Sequence, residues 1–343
     1  VPSQECIEGA EASMFFRCKN CGGNIVYNPD KGMMVCPHCG GEETQDKKTG
    51  EGENYNSLET CLNCGAPIKP GPFTSAERCE YCGHYLIHDE RVTGKYKPSE
   101  LLPFRISKEK AKEILFNAFR KKVFAPSDFL SAQSLEKMTG MYVPYFLYDM
   151  NVNGEFEANA TKTRRWVSGD IEYTETSIFR IHRKLAAKFN RVPVDASDVM
   201  PDDSMDLMEP YDYADLKDFR EPDLSGFYSE CYNKTSDELA YRAETRARND
   251  ASKIIRNSIT GAYTTITPMY ENIDIASRSD KYSLLPVWQY IYSYKNKLYT
   301  YYINGQTGKL VGEAPRSMGK ILGYAATLWA LIFVTFMVVM HAV

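Results

Sequence analysis

Four CxxC pairs near the start of the chain constrain it most. Cys18/Cys21 and Cys36/Cys39 form one foursome, Cys61/Cys64 and Cys79/Cys82 the other. Each reads C-x2-C-x14-C-x2-C, and adding 43 to every position of the first gives the second, so the stretch is an internal repeat. This spacing suits a tetrahedral zinc ion, because about fourteen residues hold two short strands and a turn that bring the thiolate pairs together. A glycine follows every pair: Gly22, Gly40, Gly65 and Gly83. Glycine accepts positive φ without strain, which lets each knuckle curl and aim backbone N–H groups at the sulfurs. All eight cysteines are therefore expected to ligate two structural Zn2+ ions, in closed sites that leave no position for water or substrate. A module of about thirty residues buries too little surface to fold alone, so the metal supplies the folding energy. His38, His84 and His88 lie near these cysteines, and with four thiolates completing each site they are expected as bystanders.

Only Cys6 and Cys231 of the ten cysteines fall outside the foursomes, which reads as metal thiolates in a reducing compartment and not as a disulfide framework. The acidic leader shows no secretory signal. Tandem ribbons first suggest a nucleic-acid reader, but the charge opposes it. Residues 1–90 hold fourteen Asp and Glu against seven Lys and Arg, a balance near −7, where phosphate binding needs a basic stripe. Two basic clusters, Lys162/Arg164/Arg165 and Arg180/Arg183/Lys184, lie farther on beside Trp166 and His182. They are read as solvated strand edges with salt bridges to the acidic segment 195–223, so nucleic acid is not an expected partner.

The fold class is α+β. Ribbon one spans 14–41, a polar glycine-punctuated linker 42–58, ribbon two 59–90, a larger domain of helices and antiparallel sheet 98–315, and a transmembrane helix 321–340. In the larger domain a helix starts after Ser107 and stops by Pro126, with Ala111, Ile114, Leu115, Ala118 and Phe119 at helical spacing. Met141–Ala160 and Ser177–Val194 have strand character, joined by the polar stretch Lys162–Glu175. Thr235-Ser236-Asp237-Glu238 is a capping box for a helix to about Ile259, whose apolar face (Leu239, Ala243, Ala247, Ala251, Ile254, Ile255) should pack on a sheet. Strands are expected at Tyr263–Tyr270, Leu284–Tyr294, Lys297–Ile303 and Lys309–Gly312, with Asn304–Gly308 as a hairpin turn and Trp288, Tyr290, Tyr292 and Tyr294 on one aromatic face. The acidic segment 195–223 has no metal-loop spacing and reads as a solvated loop with short helical turns.

Ile321–Val339 runs without a charge and at about 1.5 Å per residue reaches about 28 Å, near the hydrocarbon thickness of a bilayer. Arg316 and Lys320 precede it and no Lys or Arg follows, which places the folded part in the cytoplasm of a single-pass protein of the cytoplasmic membrane. No P-loop, GxSxG, HExxH or GxGxxG motif occurs, and Cys231 has no histidine near it in sequence. The expectation is a chain that is not an enzyme, with no catalytic or organic-cofactor residues.

Further landmarks are KPSELLPFRISKEKAKEILFNAF from Lys97, FAPSDF from Phe124, GMYVPYFLYD from Gly140, and LLPVW with YYINGQTGKLVGEAP toward the end. With the ribbons and the terminal span, the chain resembles bacterial membrane-anchored proteins carrying zinc ribbons of the transcription-factor-IIB type, often labelled relatives of the primosomal helicase. Without a phosphate-binding loop the helicase label finds no support in the residues. The resemblance implies a zinc-binding membrane scaffold without established enzymatic chemistry. It also implies protein partners at the membrane of the flotillin-like or phage-shock-protein-A-like kind.

Overall fold

The computed structural model describes residues 13–43, 60–61 and 63–342; the leader to residue 12 and the linker from 44 to 58 lie outside the described residues, as does Cys6. In chain order the strands are β1 (Ser13–Met14), β2 (Val26–Asn28), β3 (Met33–Val35), β4 (Glu42–Glu43), β5 (Thr74–Arg78), β6 (Tyr85–His88), β7 (Glu100–Leu101), β8 (Thr139–Ser168), β9 (Ile171–Asp195), β10 (Lys217–Asp218), β11 (Tyr228–Glu230), β12 (Thr265–Tyr294), β13 (Lys297–Asn304) and β14 (Leu310–Val311). The α-helices are α1 (Lys108–Phe119), α2 (Ala132–Leu135), α3 (Asp202–Asp206), α4 (Ser236–Asn257) and α5 (Met318–Ala342). Mixed helices and sheet with two cysteine clusters ahead of them match the expected class. Two compact units divide the chain: the first takes the chain to Val143, Val199–Cys231 and Leu284 onward, the second Pro144–Asp198 and Tyr232–Ser283. The span 98–315, one α+β body in sequence, contributes to both.

In the first unit, β2 and β3 pair antiparallel with Tyr27 opposite Met34, and β4 adds to β3 with Glu43 opposite Met34. The first two linker residues thus complete ribbon one. Ribbon two is built differently, because its spacer carries Pro67, Pro70 and Pro72. Proline has no N–H for a ladder, so one strand, β5, forms before Cys79, and its partner β6 follows Cys82, with Ala76 opposite Ile87. β1 joins β6 with Ser13 opposite His88. On its other side β5 pairs antiparallel with β11, Ser229 opposite Ala76, and β11 runs parallel to the start of β8, Tyr228 opposite Met141. Ribbon two is therefore the margin of a larger sheet. Ribbon one is clasped by the segment after Leu224: the Tyr27 N–H donates to the Ser225 carbonyl at 2.9 Å, and the Tyr27 and Phe227 rings lie 6.4 Å apart.

The core of this unit is aromatic. Phe104, fully buried, stacks on Phe227 at 4.1 Å and meets Tyr142 and Trp288 edge-on at 5.2 and 5.1 Å. Helix α1 begins after Ser107, although the serine side chain makes no capping bond, and buries Ala111, Leu115 and Phe119. The expected aromatic face of β12 is present: Trp288, Tyr290 and Tyr292 are buried, with the Trp288 indole N–H on the Ile106 carbonyl and the Tyr290 hydroxyl on the Phe129 carbonyl. Residues 304–308 turn β13 into β14, with Ile303 opposite Leu310. Gly305 is required here by close approach, since a Cβ would lie 2.6 Å from the Phe104 ring and 2.7 Å from Pro286 Cβ. Gly305→Ala is expected to cost about 1–3 kcal/mol through overpacking, read as a lowered thermal midpoint of the detergent-solubilised chain. An unchanged midpoint would contradict this packing.

In the second unit, β8 and β9 form a long hairpin, from Tyr145 opposite Asp195 to Ser168 opposite Ile171. The stretch Lys162–Glu175, a polar connection in sequence, is itself ladder, with the turn only at Gly169–Asp170. Both faces there are largely exposed, so no apolar alternation marks it; Trp166 stacks on Tyr173 at 5.5 Å. β12 likewise runs unbroken from Thr265 through the interval between the two strands expected there. The capping box is present, with Thr235 and Glu238 bonded reciprocally, and α4 buries Leu239, Ala240, Ala243, Ala247, Ala251 and Ile255. Ile254, expected on that face, is exposed. Ile255 packs with Phe156, Ala158, Ala160 and Ile181 of the hairpin, and its Cδ1 lies 2.6 Å from where a Cβ on Gly154 would be.

Candidate metal centres

All four knuckles repeat one backbone pattern. Each leading cysteine (Cys18, Cys36, Cys61, Cys79) donates its N–H to the carbonyl five residues on and accepts from the N–H of the glycine four residues on, at 2.7–2.9 Å. Those glycines have φ of 71–76°, the left-handed conformation that other residues adopt only with strain. The curl brings two cysteines of each pair to one side. In ribbon one the sulfurs of Cys18 and Cys39, and of Cys21 and Cys36, are 3.6 Å apart; in ribbon two Cys61 and Cys82 are at 3.6 Å and Cys64 and Cys79 at 3.9 Å. Within each foursome all ligand atoms lie within 4.8 Å of one another. A tetrahedron with Zn–S bonds of about 2.3 Å has edges of about 3.8 Å, so both sulfur sets fit the ion.

Sulfurs this close cannot all ionise without a cation. Cys36 is drawn down to about 6 by the Cys39 backbone N–H, with the His38 N–H adding to it against desolvation. Cys21, although the Gly23 N–H lowers it, is pushed up to about 12 by its contacts with Cys39 and Cys36. In ribbon two, desolvation pushes Cys61 up to about 12, while Cys82, despite desolvation, is brought down to about 7 by the His84 N–H and the Asn63 side chain. One Zn2+ per foursome removes the conflict by binding four thiolates. Cys18, Cys36, Cys61 and Cys79 are buried, and Cys21, Cys39 and Cys64 face outward. The two tetracysteine clusters are structural Zn2+ sites.

The histidines stay outside the clusters. His88, 1% exposed, accepts from the Ser13 hydroxyl at Nδ1 and donates from Nε2 to Glu77, both at 3.0 Å. His84 accepts from the Asn63 amide at 3.3 Å, and desolvation lowers its pKa. Asn63 was not singled out in sequence. Its signal is repeat-encoded, since both foursomes open with an asparagine before the second cysteine, Asn20 and Asn63.

Across 315 residues the chain is 36% identical to the uncharacterized protein YdjG of Bacillus subtilis (strain 168), covering 90% of this chain and 92% of that protein. The chain belongs to the YdjG family. No protein-family profile and no solved structure matches it.

Other sequence candidates of this YdjG-family chain lie apart from the metal centres. The basic clusters sit on the β8–β9 hairpin, and the carboxylates that Arg180, His182 and Lys184 meet belong to the facing hairpin strand and not, as expected, to the acidic segment: Arg180 bonds Glu157 at 2.8 Å, His182 bonds Glu155 at 2.8 Å, and Lys184 lies 3.5 Å from Glu155. Arg164 is opposite Glu175. Cys231 is buried, with its N–H on the Phe73 carbonyl. The acidic segment folds into α3 and short 3-10 turns, and its Asp223 is buried between Lys217 and Arg220. Among the described residues, no grouping of metal-ligating side chains occurs in this segment.

Helix α5 contains a 24-residue stretch, Met318–His341, long and apolar enough to cross a membrane, and its most apolar window is uncovered by the rest of the chain.

Proposed function

We propose that this chain is a scaffold of the cytoplasmic membrane, anchored by α5, that presents its zinc ribbons and mixed sheets to protein partners on the cytoplasmic side. The observation that carries the proposal is the pairing, in one unit, of two closed tetracysteine centres with an uncovered apolar helix. A zinc ion held by four cysteines has no open position for substrate, so the metal shapes a surface and performs no chemistry. Leu, Ile, Phe and Val exposed along a helix of this length find their favourable environment in hydrocarbon, and Arg316 and Lys320 at its entrance favour the cytoplasmic side. The resemblance to ribbon-bearing membrane proteins supports partners of the flotillin-like or phage-shock-protein-A-like kind and a role in envelope stress.

Crosslinking of the full chain in its native membranes tests the reading. The chain should stay in the carbonate-washed membrane fraction and crosslink reproducibly to other membrane-associated proteins. A chain recovered in the soluble fraction, or a purified chain that hydrolyses nucleotide or peptide, would overturn it. Salt-dependent binding to DNA that is lost on Arg164→Glu/Arg165→Glu would instead favour a tethered nucleic-acid binder.

A further inference from the structure

The entrance of α5 is tied to a loop that lies far from it in sequence. The Ser317 N–H donates to the Phe124 carbonyl at 2.7 Å, and Lys320 Nζ to the Ala125 carbonyl at 2.7 Å. The Phe124 ring meets Tyr324 edge-on at 5.7 Å. Tyr324 lies three residues past Ile321, about 4.5 Å inside the charge-free stretch, so Phe124 reaches the level at which that stretch begins.

The composition around this contact is one-sided. Arg120, Lys121 and Lys122 on the loop are exposed, as are Arg316 and Lys320 at the start of the helix. Neither 114–126 nor 314–324 contains an aspartate or glutamate; Glu113, Asp128 and Glu313 stand just outside them. Between the loop cations and the helix, Val123 is 69% exposed and Phe124 36%. An exposed valine and phenylalanine beside a run of cations is costly against water and favourable where a headgroup layer meets acyl chains, since phosphates satisfy the cations and the apolar groups leave water. Aromatic rings at that level are common in proteins that cross bilayers.

We propose that the loop 120–124 is a second bilayer contact, in which Arg120, Lys121, Lys122, Arg316 and Lys320 hold anionic phospholipid headgroups while Val123 and Phe124 enter the interface beside the span. The proposal rests on the reading of α5 as a membrane span. It adds a collar that fixes the depth of the helix and selects the charge of the lipids around it.

The full-length chain, reconstituted in vesicles of equal phosphatidylglycerol and phosphatidylcholine, tests both parts. Carbonate washing first reports the span: a chain that washes off loses the span and the collar together. In a Trp329→Phe background, which removes the tryptophan of the span, Val123→Trp should add emission that lipids brominated near the headgroup quench. Phospholipid retained through detergent extraction should be enriched in phosphatidylglycerol, and Arg120→Glu/Lys121→Glu/Lys122→Glu should cut that enrichment by at least about fivefold, the factor for a single cation at a charged surface. Two bound zinc ions per chain in each variant show that the ribbons have folded. A carbonate-resistant chain whose introduced indole is not quenched, because water or a partner protein covers the loop, overturns the collar and leaves the span standing. So does a charge-reversed variant that retains its preference for phosphatidylglycerol.

Discussion

Cys79→Ser is expected to lower bound zinc from two ions per chain to one and to loosen the β1–β6–β5–β11 margin of the first unit's sheet together with the ribbon. A structural zinc ion contributes about 10–16 kcal/mol of apparent folding energy to a small ribbon, and whole domains are stable by about 5–15 kcal/mol. Loss of the ion therefore exceeds what neighbouring strands can offset. Cys79 directly follows β5, and the far side of β5 carries β11, with Ser229 opposite Ala76. Cys36→Ser in ribbon one should also remove one zinc, with a narrower consequence, because β2, β3 and β4 form a separate small sheet. Hydrogen exchange read by mass spectrometry separates the two. Cys79→Ser should speed exchange through β5, β6 and β11, and Cys36→Ser only in the ribbon-one hairpin and its contact at Ser225. Equal spread in both variants, or two zinc ions retained in either, would refute the assignment.

The second large effect is expected at Phe104. Phe104→Ala should destabilise the first unit by about 3–5 kcal/mol, with up to about 1 kcal/mol more from lost ring contacts. Phe104 is fully buried, stacks on Phe227, and meets Tyr142 of β8 and Trp288 of β12, so its removal opens a cavity among large rings that cannot all collapse into it. Phe227 also lies against Tyr27 of ribbon one, which makes the same cluster part of the ribbon's seat. Denaturant unfolding of the solubilised chain, followed by tyrosine and tryptophan fluorescence, measures the loss. Zinc content should remain at two, since no ligand is touched. A cost below about 1 kcal/mol would show that the site repacks and that Phe104 is not the centre of this core.

The metal centres were legible because a tetrahedral thiolate site leaves a rigid trace: fixed short spacings, a glycine after each pair, and here a second copy of the whole. The apolar helix was legible for a similar reason, as it needs only length and the absence of charge. The continuity of β8, β9 and β12 was not, because a hairpin arm exposed on both faces, such as Lys162–Ser168 against Ile171–Ser177, is held by its backbone ladder and carries no alternation to read. Nor could the seating of the ribbons be read. The partner of β5 is β11 and the clasp on Tyr27 is Ser225, and nothing local in either segment announces a neighbour so distant in sequence. Ile254 shows a finer limit: at a helix end one step of rotation separates a buried isoleucine from an exposed one, and the choice belongs to Gly154 and the hairpin beneath it.

The clasp on ribbon one has a consequence for the order of events during synthesis. Ile25 and Ser225, joined by a hydrogen bond, are 200 residues apart in sequence, so the ribbons leave the ribosome well before their seat exists. For that interval each small hairpin has only its zinc ion to hold its shape. Metal supply in the cell therefore sets how many nascent chains arrive with a surface ready to receive β11 and the segment around Ser225, and a chain made under zinc starvation would present an unfinished edge when those segments emerge.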